Sequence, residues 1–465
     1  LKKQEIQNDR EEIEQFLRFL SKVVNNFHRT EGFSKKIEQI FSFLKDDIKI
    51  SSIFSNNELI ELFIDNKFIL YLLLKNNLIL INETNFGYFY ESGVKELDEG
   101  LPSYRHFFYP EIKNSIKKFI SSEENKEIED DIIEFDNIYP DNIDEINKKR
   151  AEGENDSYLC SLIRNDSIDE FISHVNKKSI LLSSKIKPSI FETNSFLIDK
   201  RPTLIEYSAF FGSIQIFNYL FLNDVEIEST IWLYSVHSNN AELIHLLEQN
   251  QIDIDESMIE QIYMESIKCH HNSIANYISD KFNLRYDNST KMTEEQIYSN
   301  YLQYFNYQFF PTEFNINNMF YYLVKYNYTT IIKSYLEMEG KSIEKAINNK
   351  MKDNNNYNNI IRESASKNDI ITVYYLLSKN NVNCKGCFKE LVDMTKIAIP
   401  RTIENIFKCD FYECASLTDL IIPNTVTQIG DYSFCRCKKL KSIEIPYSVI
   451  SIGRFAFDGC SSLQE

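Results

Sequence analysis

The sequence predicts a mostly α-helical protein that ends in a short, β-rich repeat region. The 465 residues contain only 11 Gly and 9 Pro, which are too few turn-forming residues for an all-β protein. The 34 Phe and 28 Tyr exclude a chain that is disordered throughout, because aromatic side chains favour burial. Near the C-terminus, apolar residues alternate within a strict 23-residue period, a pattern typical of stacked short strands.

The first predicted domain, residues 1–120, is a helical region. Apolar residues recur every three or four positions over residues 6–27 and 33–44, as on the buried face of an amphipathic helix. A third helix is predicted over residues 59–74, and the apolar run 68–74 marks it as buried. We expect a plain bundle or irregular helical repeats here rather than a catalytic domain.

Residues 121–157 are predicted to form an acidic linker. They contain 14 Asp or Glu and 4 Lys or Arg, so this segment carries ten of the chain's 18 excess negative charges. A block of like charges is usually a solvated connector. The alternative, a calcium site, lacks the loop pattern of alternating Asp residues that such a site uses.

Helical repeats are predicted over residues 158–390. An apolar pattern recurs at Ile216, Leu243, Ile274 and Val373, at intervals of 27, 31 and 99 residues, the last being three times 33. A period near 33 with two short helices per unit is typical of ankyrin repeats. Gly212 lies between the two helices of one unit, and Asn239 holds that place in the next; both residue types tolerate positive φ. Weaker copies are predicted at residues 159–175 and 322–336.

A second and cleaner repeat occupies residues 391–465, where it is incomplete at the C-terminal end. Its 23-residue unit has apolar residues at constant offsets, together with the motifs Ile-Pro, Val-x-x-Ile-Gly and Phe-x-x-Cys, which also recur at constant offsets. Alternation over residues 419–422 turns Leu420 and Ile422 inward and Asp419 and Ile421 outward, as in a strand with one buried face. Stacked copies of this unit would form a ladder of parallel strands.

These two repeats resemble known families. Residues 391–465 resemble the BspA-like leucine-rich repeat of bacterial and protist surface antigens, through the offsets just given. Residues 158–285 are similar to an ankyrin-like domain of unknown function expanded in parasitic protists. The similarity rests on the segments 154–158, 189–194, 206–213 and 240–245. The resemblance implies an ankyrin-like α-solenoid, a leucine-rich-repeat solenoid and protein binding, and it brings no catalytic residues.

Repeat geometry predicts where a protein partner would bind. On the strands of the C-terminal repeat, outward side chains would line the exposed face. On the helical repeats, the connecting hairpin loops are the usual contact places, here near residues 224–228 and 249–253. The predicted protein-binding residues are Lys396, Ala398, Asp419, Ile421, Ser442, Glu444, Asp224, Glu226 and Glu228.

Catalytic, cofactor-binding and metal-binding residues are not predicted. The segment 384–387 (Cys-Lys-Gly-Cys) lacks the second pair that a zinc site needs, and structural thiols are favoured for the cysteines. Residues 269–271 (Cys-His-His) are interpreted as polar surface at a turn. His237 and His245 are interpreted as hydrogen-bonding partners in turns, and Trp232 as part of a buried helix face.

The predicted function is that of a non-enzymatic protein–protein interaction scaffold. The net charge of −18 disfavours nucleic acid or an anionic membrane as a partner, and no apolar run is long enough to span a bilayer. A cytoplasmic location is expected. One alternative is a surface antigen or adhesin, anchored through a segment outside this chain, which begins at Leu1 and ends inside a repeat. Another is an enzyme within residues 1–120 or 286–360, with His28 and His106 as candidates.

Overall fold

The computed structural model describes two compact units, one within Leu1–Phe309 and one within Phe310–Glu465. The protein is mostly helical, with a few short strands near the C-terminus, as the sequence predicts. The residues described are 10–26, 33–82, 84–90, 104–113, 143–282, 284, 294–309, 322, 323, 325, 326, 328, 331, 396–399, 405, 406 and 408–463.

The N-terminal helices pack around one apolar core. It includes Leu17, Phe41 and Leu72, each almost fully buried, and it reaches Phe191 from the following region. The single helix predicted over 59–74 is two helices, because the Asn66 side chain accepts a hydrogen bond from the Ile69 amide and starts a new helix. The helices are α1 (Arg10–Asn26), α2 (Phe33–Asp46), α3 (Asn56–Leu62), α4 (Lys67–Lys75), α5 (Phe86–Tyr90) and α6 (Tyr104–Phe107).

The end of the predicted acidic linker differs from a solvated connector. Residues 143–152 form helix α7 (Ile143–Glu152), which packs on α4. Its Arg150 is 1% exposed and makes an ion pair with Glu111. The charge count over 121–157 missed this, because a single buried Arg with one partner does not change the composition of an acidic segment. Residues 121–142 lie outside the described part.

Helices then follow one another in antiparallel pairs. Each turn within a pair has one residue with positive φ: Asp166, Gly212, Asn239 and His270, at 50°, 69°, 50° and 56°. The prediction for Gly212 and Asn239 is therefore confirmed, and the same conformation occurs in two further turns. The helices are α8 (Tyr158–Arg164), α9 (Ile168–Lys178), α10 (Ser195–Lys200), α11 (Leu204–Phe211), α12 (Ile214–Leu222), α13 (Ile231–Ser238), α14 (Ala241–Gln249), α15 (Ile259–Lys268), α16 (Asn272–Lys281) and α17 (Glu294–Gln303).

Hydrogen bonds between successive turns join neighbouring pairs. The Ser213 hydroxyl donates to the carbonyl of Ile163 at 2.6 Å, and His271 Nδ1 donates to the carbonyl of Val236 at 2.6 Å. Helix α1 packs against this same end, where the Phe19 ring lies 6.3 Å from the ring of His270. The loops at the opposite ends of the helices present exposed polar side chains, such as Asn223, Asp224, Glu226 and Glu228.

Two sets of short parallel strands lie near the C-terminus. One sheet has the order β1-β3-β5 and the other β2-β4-β6, and aligned residues differ by 23 positions, as in Leu420 with Ile443. The Phe434 ring stacks between Phe411 and Phe457, with centroids 4.9 and 5.3 Å away. The strands are β1 (Lys396–Ala398), β2 (Asn405–Ile406), β3 (Asp419–Ile421), β4 (Gln428–Ile429), β5 (Ser442–Glu444) and β6 (Ser451–Ile452).

Candidate functional site

The outward side chains of β3 and β5 form one candidate surface. Leu420 is buried, whereas Ile421 is 66% exposed and Ser442 and Glu444 are also exposed; Asp419 is half-buried. The alternation predicted from the sequence therefore describes the exposure of these strands. The backbone of Lys396 and Ala398 aligns with Asp419 and Ile421 in the parallel register.

Cysteine residues of the repeat motif join each repeat to the one before it. The Cys437 thiol donates to the carbonyl of Phe411 at 3.0 Å, and Cys460 donates to the carbonyl of Phe434 at 3.1 Å. Contact with the Cys414 thiol, together with burial, raises the pKa of Cys437 to about 12. Such a thiol stays protonated and acts as a structural hydrogen-bond donor, in line with the structural role predicted for the cysteines.

Two neighbouring loops of the helical pairs form a second candidate surface, which we call the acidic loops. Asp224, Glu226 and Glu228 of the first loop are exposed. In the loop that precedes α15, Asp253, Asp255 and Glu256 are exposed as well. The stretch 202–267 contains eleven Asp or Glu and no Lys or Arg, so basic side chains are absent from the sequence of both loops. The sequence predicted both loops as contact places, but not their shared charge.

The interpretation of residues 269–271 as polar surface is wrong. Cys269 is fully buried and His271 is 8% exposed, because both face the helix pair before them. The interpretation of His237 as a hydrogen-bonding partner in a turn also needs correction, because His237 is fully buried and pairs with Glu265. His245 is exposed and forms a hydrogen bond with Gln249 on its own helix. Trp232 is buried as predicted, and its indole N–H donates to the carbonyl of Ile252 at 3.0 Å.

His237, Glu265 and Cys269 form one polar cluster inside the helical region. His237 Nε2 lies 2.9 Å from a Glu265 carboxylate oxygen, and Cys269 Sγ lies 3.3 Å from His237 Nδ1. Burial lowers the pKa of His237, and burial raises the pKa of the Cys269 thiol. For Glu265, burial alone would raise the pKa, but hydrogen bonds from His237 and Lys268 lower it to about 2. At neutral pH the cluster therefore holds an ionised carboxylate beside a neutral imidazole and a thiol.

A small cavity of about 30 Å³ lies among Asn155, Ser189, Glu192 and Tyr207. This volume holds one or two water molecules. His28, one of the two histidines named in the enzyme hypothesis, lies outside the described residues, so that hypothesis stays a prediction. The Cys-Lys-Gly-Cys segment 384–387 also lies outside the described residues. Within the described ranges, no helix combines the length and the apolar character needed to cross a bilayer.

Parallel strands with a 23-residue interval, backed by Leu, Ile and Phe, define a leucine-rich-repeat region. Residues 383–465 match the family model of the BspA type leucine rich repeat region, in six copies. Repeats of this type are typically protein-binding, and they suggest a protein-interaction or surface-associated role. No curated protein and no solved structure matches the chain.

Proposed function

We propose that this protein is a non-enzymatic scaffold that binds other proteins through its two repeat regions. In this proposal the repeats predicted over residues 158–390 form an ankyrin-like solenoid, and the leucine-rich repeats form a second solenoid. Each region offers a rigid surface whose exposed side chains select the partner, while the buried ones hold the shape. A cytoplasmic location is part of the proposal.

The observation that carries the proposal is the exposed face of β3 and β5. Ile421 is 66% exposed on a regular strand, with Asp419, Ser442 and Glu444 around it. An exposed aliphatic side chain within a polar rim is the arrangement found at the centre of protein interfaces. Because the backbone beneath it is paired on a parallel ladder, this surface needs little ordering when a partner binds.

The acidic loops support the same function in the helical region. Their six exposed carboxylates lie on successive helical pairs and are interleaved with half-buried Val225, Ile227, Ile252 and Ile254. The N-terminal helix α1 packs on the opposite end of these pairs, at His270, so it leaves the loops accessible. A basic segment of a partner protein fits this surface by charge, and opposite charge would also speed the encounter.

Site-specific photo-crosslinking in cells tests the proposal. A photoreactive amino acid placed at position 421 or 226 should form covalent adducts with the same proteins in repeated experiments. The matched control is position 245, because His245 is exposed on the outer helix α14 and lies outside both surfaces. Adduct patterns that are the same at all three positions would contradict the proposal.

Localisation separates the scaffold from the surface-antigen alternative, because BspA-type repeats suggest a protein-interaction or a surface-associated role without distinguishing the two. An internally tagged full-length protein should be detected only after cells are permeabilised. Detection on intact cells would contradict the cytoplasmic location, and would direct the search for partners of Ile421 and Glu444 to extracellular proteins.

A further inference from the structure

The cluster of His237, Glu265 and Cys269 has the composition of a metal site. One donor atom from each residue lies within 4.8 Å of the other two. The closest approach is 2.9 Å between His237 Nε2 and a Glu265 oxygen, and the sulfur lies 3.9 Å from the same nitrogen. Imidazole nitrogen, carboxylate oxygen and thiolate sulfur are the three donor types that Zn²⁺ accepts in proteins.

Two helices position these donors. His237 lies in the last turn of α13, and Glu265 lies one turn before Cys269, which is the C-cap residue directly after α15. Because residues four apart share a helix face, Glu265 and Cys269 both face His237. The rings of Phe196 and Phe210 lie 4.3 and 4.7 Å from the His237 ring and limit its rotation. A site on packed helices keeps its donors in place better than a site on loops.

Two of the three donors are anionic when they bind a cation, and the Lys268 ammonium beside Glu265 offsets one of these charges. A thiolate and a carboxylate supply two negative charges, and the His237 ring is neutral. Lys268 Nζ lies 3.0 Å from the same Glu265 oxygen and would remain as an outer partner that orients the carboxylate. The His237 and Cys269 side chains are fully buried, whereas those of Glu265 and Lys268 are 13% and 21% exposed, so an ion would enter from their side.

We infer that His237 Nε2, a Glu265 oxygen and Cys269 Sγ bind one Zn²⁺, with water in the fourth position, and that the ion ties α13 to α15. The similar distances from Cys269 Sγ to both ring nitrogens place the sulfur beside the His237 ring. The Cys269 side chain must therefore turn about its Cα–Cβ bond before its sulfur can share an ion with Nε2. Binding breaks the S–H bond of Cys269 and the Nε2–H bond through which the neutral His237 ring donates to Glu265. The zinc–sulfur and zinc–nitrogen bonds form, the ring takes up a proton at Nδ1, and one net proton is released to solvent. Sulfur and nitrogen donors favour zinc or cobalt over magnesium or calcium.

Cobalt(II) titration of the full-length, chemically reduced protein tests this site. One equivalent should give the visible bands of tetrahedral cobalt with a thiolate charge-transfer band, and Zn²⁺ should displace it. Substitution of Cys269→Ser or Glu265→Gln should remove that equivalent or weaken it at least about tenfold. The control Cys160→Ser removes another buried thiol, on α8, and should leave the equivalent unchanged. Equal cobalt spectra for Cys269→Ser and Cys160→Ser would overturn the assignment.

A second measurement does not depend on how the variants fold. Amide hydrogen exchange of the unmodified protein should slow over residues 231–238 and 259–269 when one equivalent of Zn²⁺ is added. Exchange in α9, which carries none of the three ligands, should not change. Unchanged exchange over both ligand-bearing helices would overturn the inference even if zinc binds elsewhere.

Discussion

Arg150 makes two parallel hydrogen bonds to the Glu111 carboxylate, at 2.7 and 2.9 Å, across 39 residues of sequence. The guanidinium is 1% exposed, lies 4.6 Å from the centre of the Tyr71 ring and also donates to the carbonyl of Phe107. This pair joins α7 to the N-terminal helices, so it connects the end of the acidic segment to the first apolar core.

Removing one partner of this pair should destabilise the N-terminal unit strongly. Glu111→Ala leaves a buried guanidinium without its carboxylate, and we expect a loss of about 3–5 kcal/mol in the free energy of unfolding. The double variant Arg150→Met/Glu111→Leu should lose less than Glu111→Ala, because no charge remains buried. Urea unfolding measures both. A double variant that loses at least as much as Glu111→Ala would contradict this explanation.

Lys67 should make stability depend on pH in the alkaline range. Burial lowers its pKa from 10.5 to about 8, and nearby Glu192 offsets only part of this. Between pH 8 and 10.5 the unfolded chain retains a proton that the folded chain has lost, so this contribution to stability rises with pH there. Below pH 8 the charged amine is buried and costs about 3 kcal/mol.

A comparison with Lys67→Met isolates this effect from the titration of Tyr residues. The variant should be more stable relative to the natural chain at pH 7 than at pH 10.5, with a change of about 3 kcal/mol between them. Denaturant unfolding at both pH values provides the measurement. Parallel stability curves for the two proteins would show that the Lys67 amine is not desolvated.

Phe434 should be a main source of stability for the leucine-rich repeats. It is fully buried between Phe411 and Phe457, so Phe434→Ala should cost about 3–5 kcal/mol. Proteolysis of residues 405–463 should accelerate accordingly. Tyr447→Ala is the control, because Tyr447 is fully exposed and its loss should change stability by no more than about 0.5 kcal/mol. Similar proteolysis of the two variants would contradict the packing argument.

Substitutions in two equivalent turns of the helical pairs should change stability by different amounts. Gly212 has a φ of 69°, and a Cβ there would lie 3.2 Å from the Asn240 side chain, so Gly212→Ala should cost about 1–2 kcal/mol. Asn239 has a φ of 50° in the equivalent turn, and Asn239→Gly should be nearly neutral. Thermal unfolding can compare the two variants. A larger loss for Asn239→Gly would mean that its side chain, rather than its backbone, is required.

Much of the fold follows from local patterns. The 23-residue spacing predicted the strands and the exposed positions Ile421, Ser442 and Glu444, because strand alternation needs only the period of the sequence. The turns at Gly212 and Asn239 were predicted from residue type, because few residues adopt positive φ. In contrast, the break at Asn66 was missed, since a continuous apolar run conceals a helix start that depends on one capping side chain.

The sequence by itself determined the repeat periods, the mostly helical class and the exposed positions of the strands. Tertiary structure alone decided that Arg150 meets Glu111 and that His237, Glu265 and Cys269 meet inside the helical region. The physical reason is the separation along the sequence over which each feature is set. Periodicity within a few residues shows which face of a helix or strand is apolar. Contacts across 28 or 39 residues depend instead on how whole helices pack, and no local pattern encodes them.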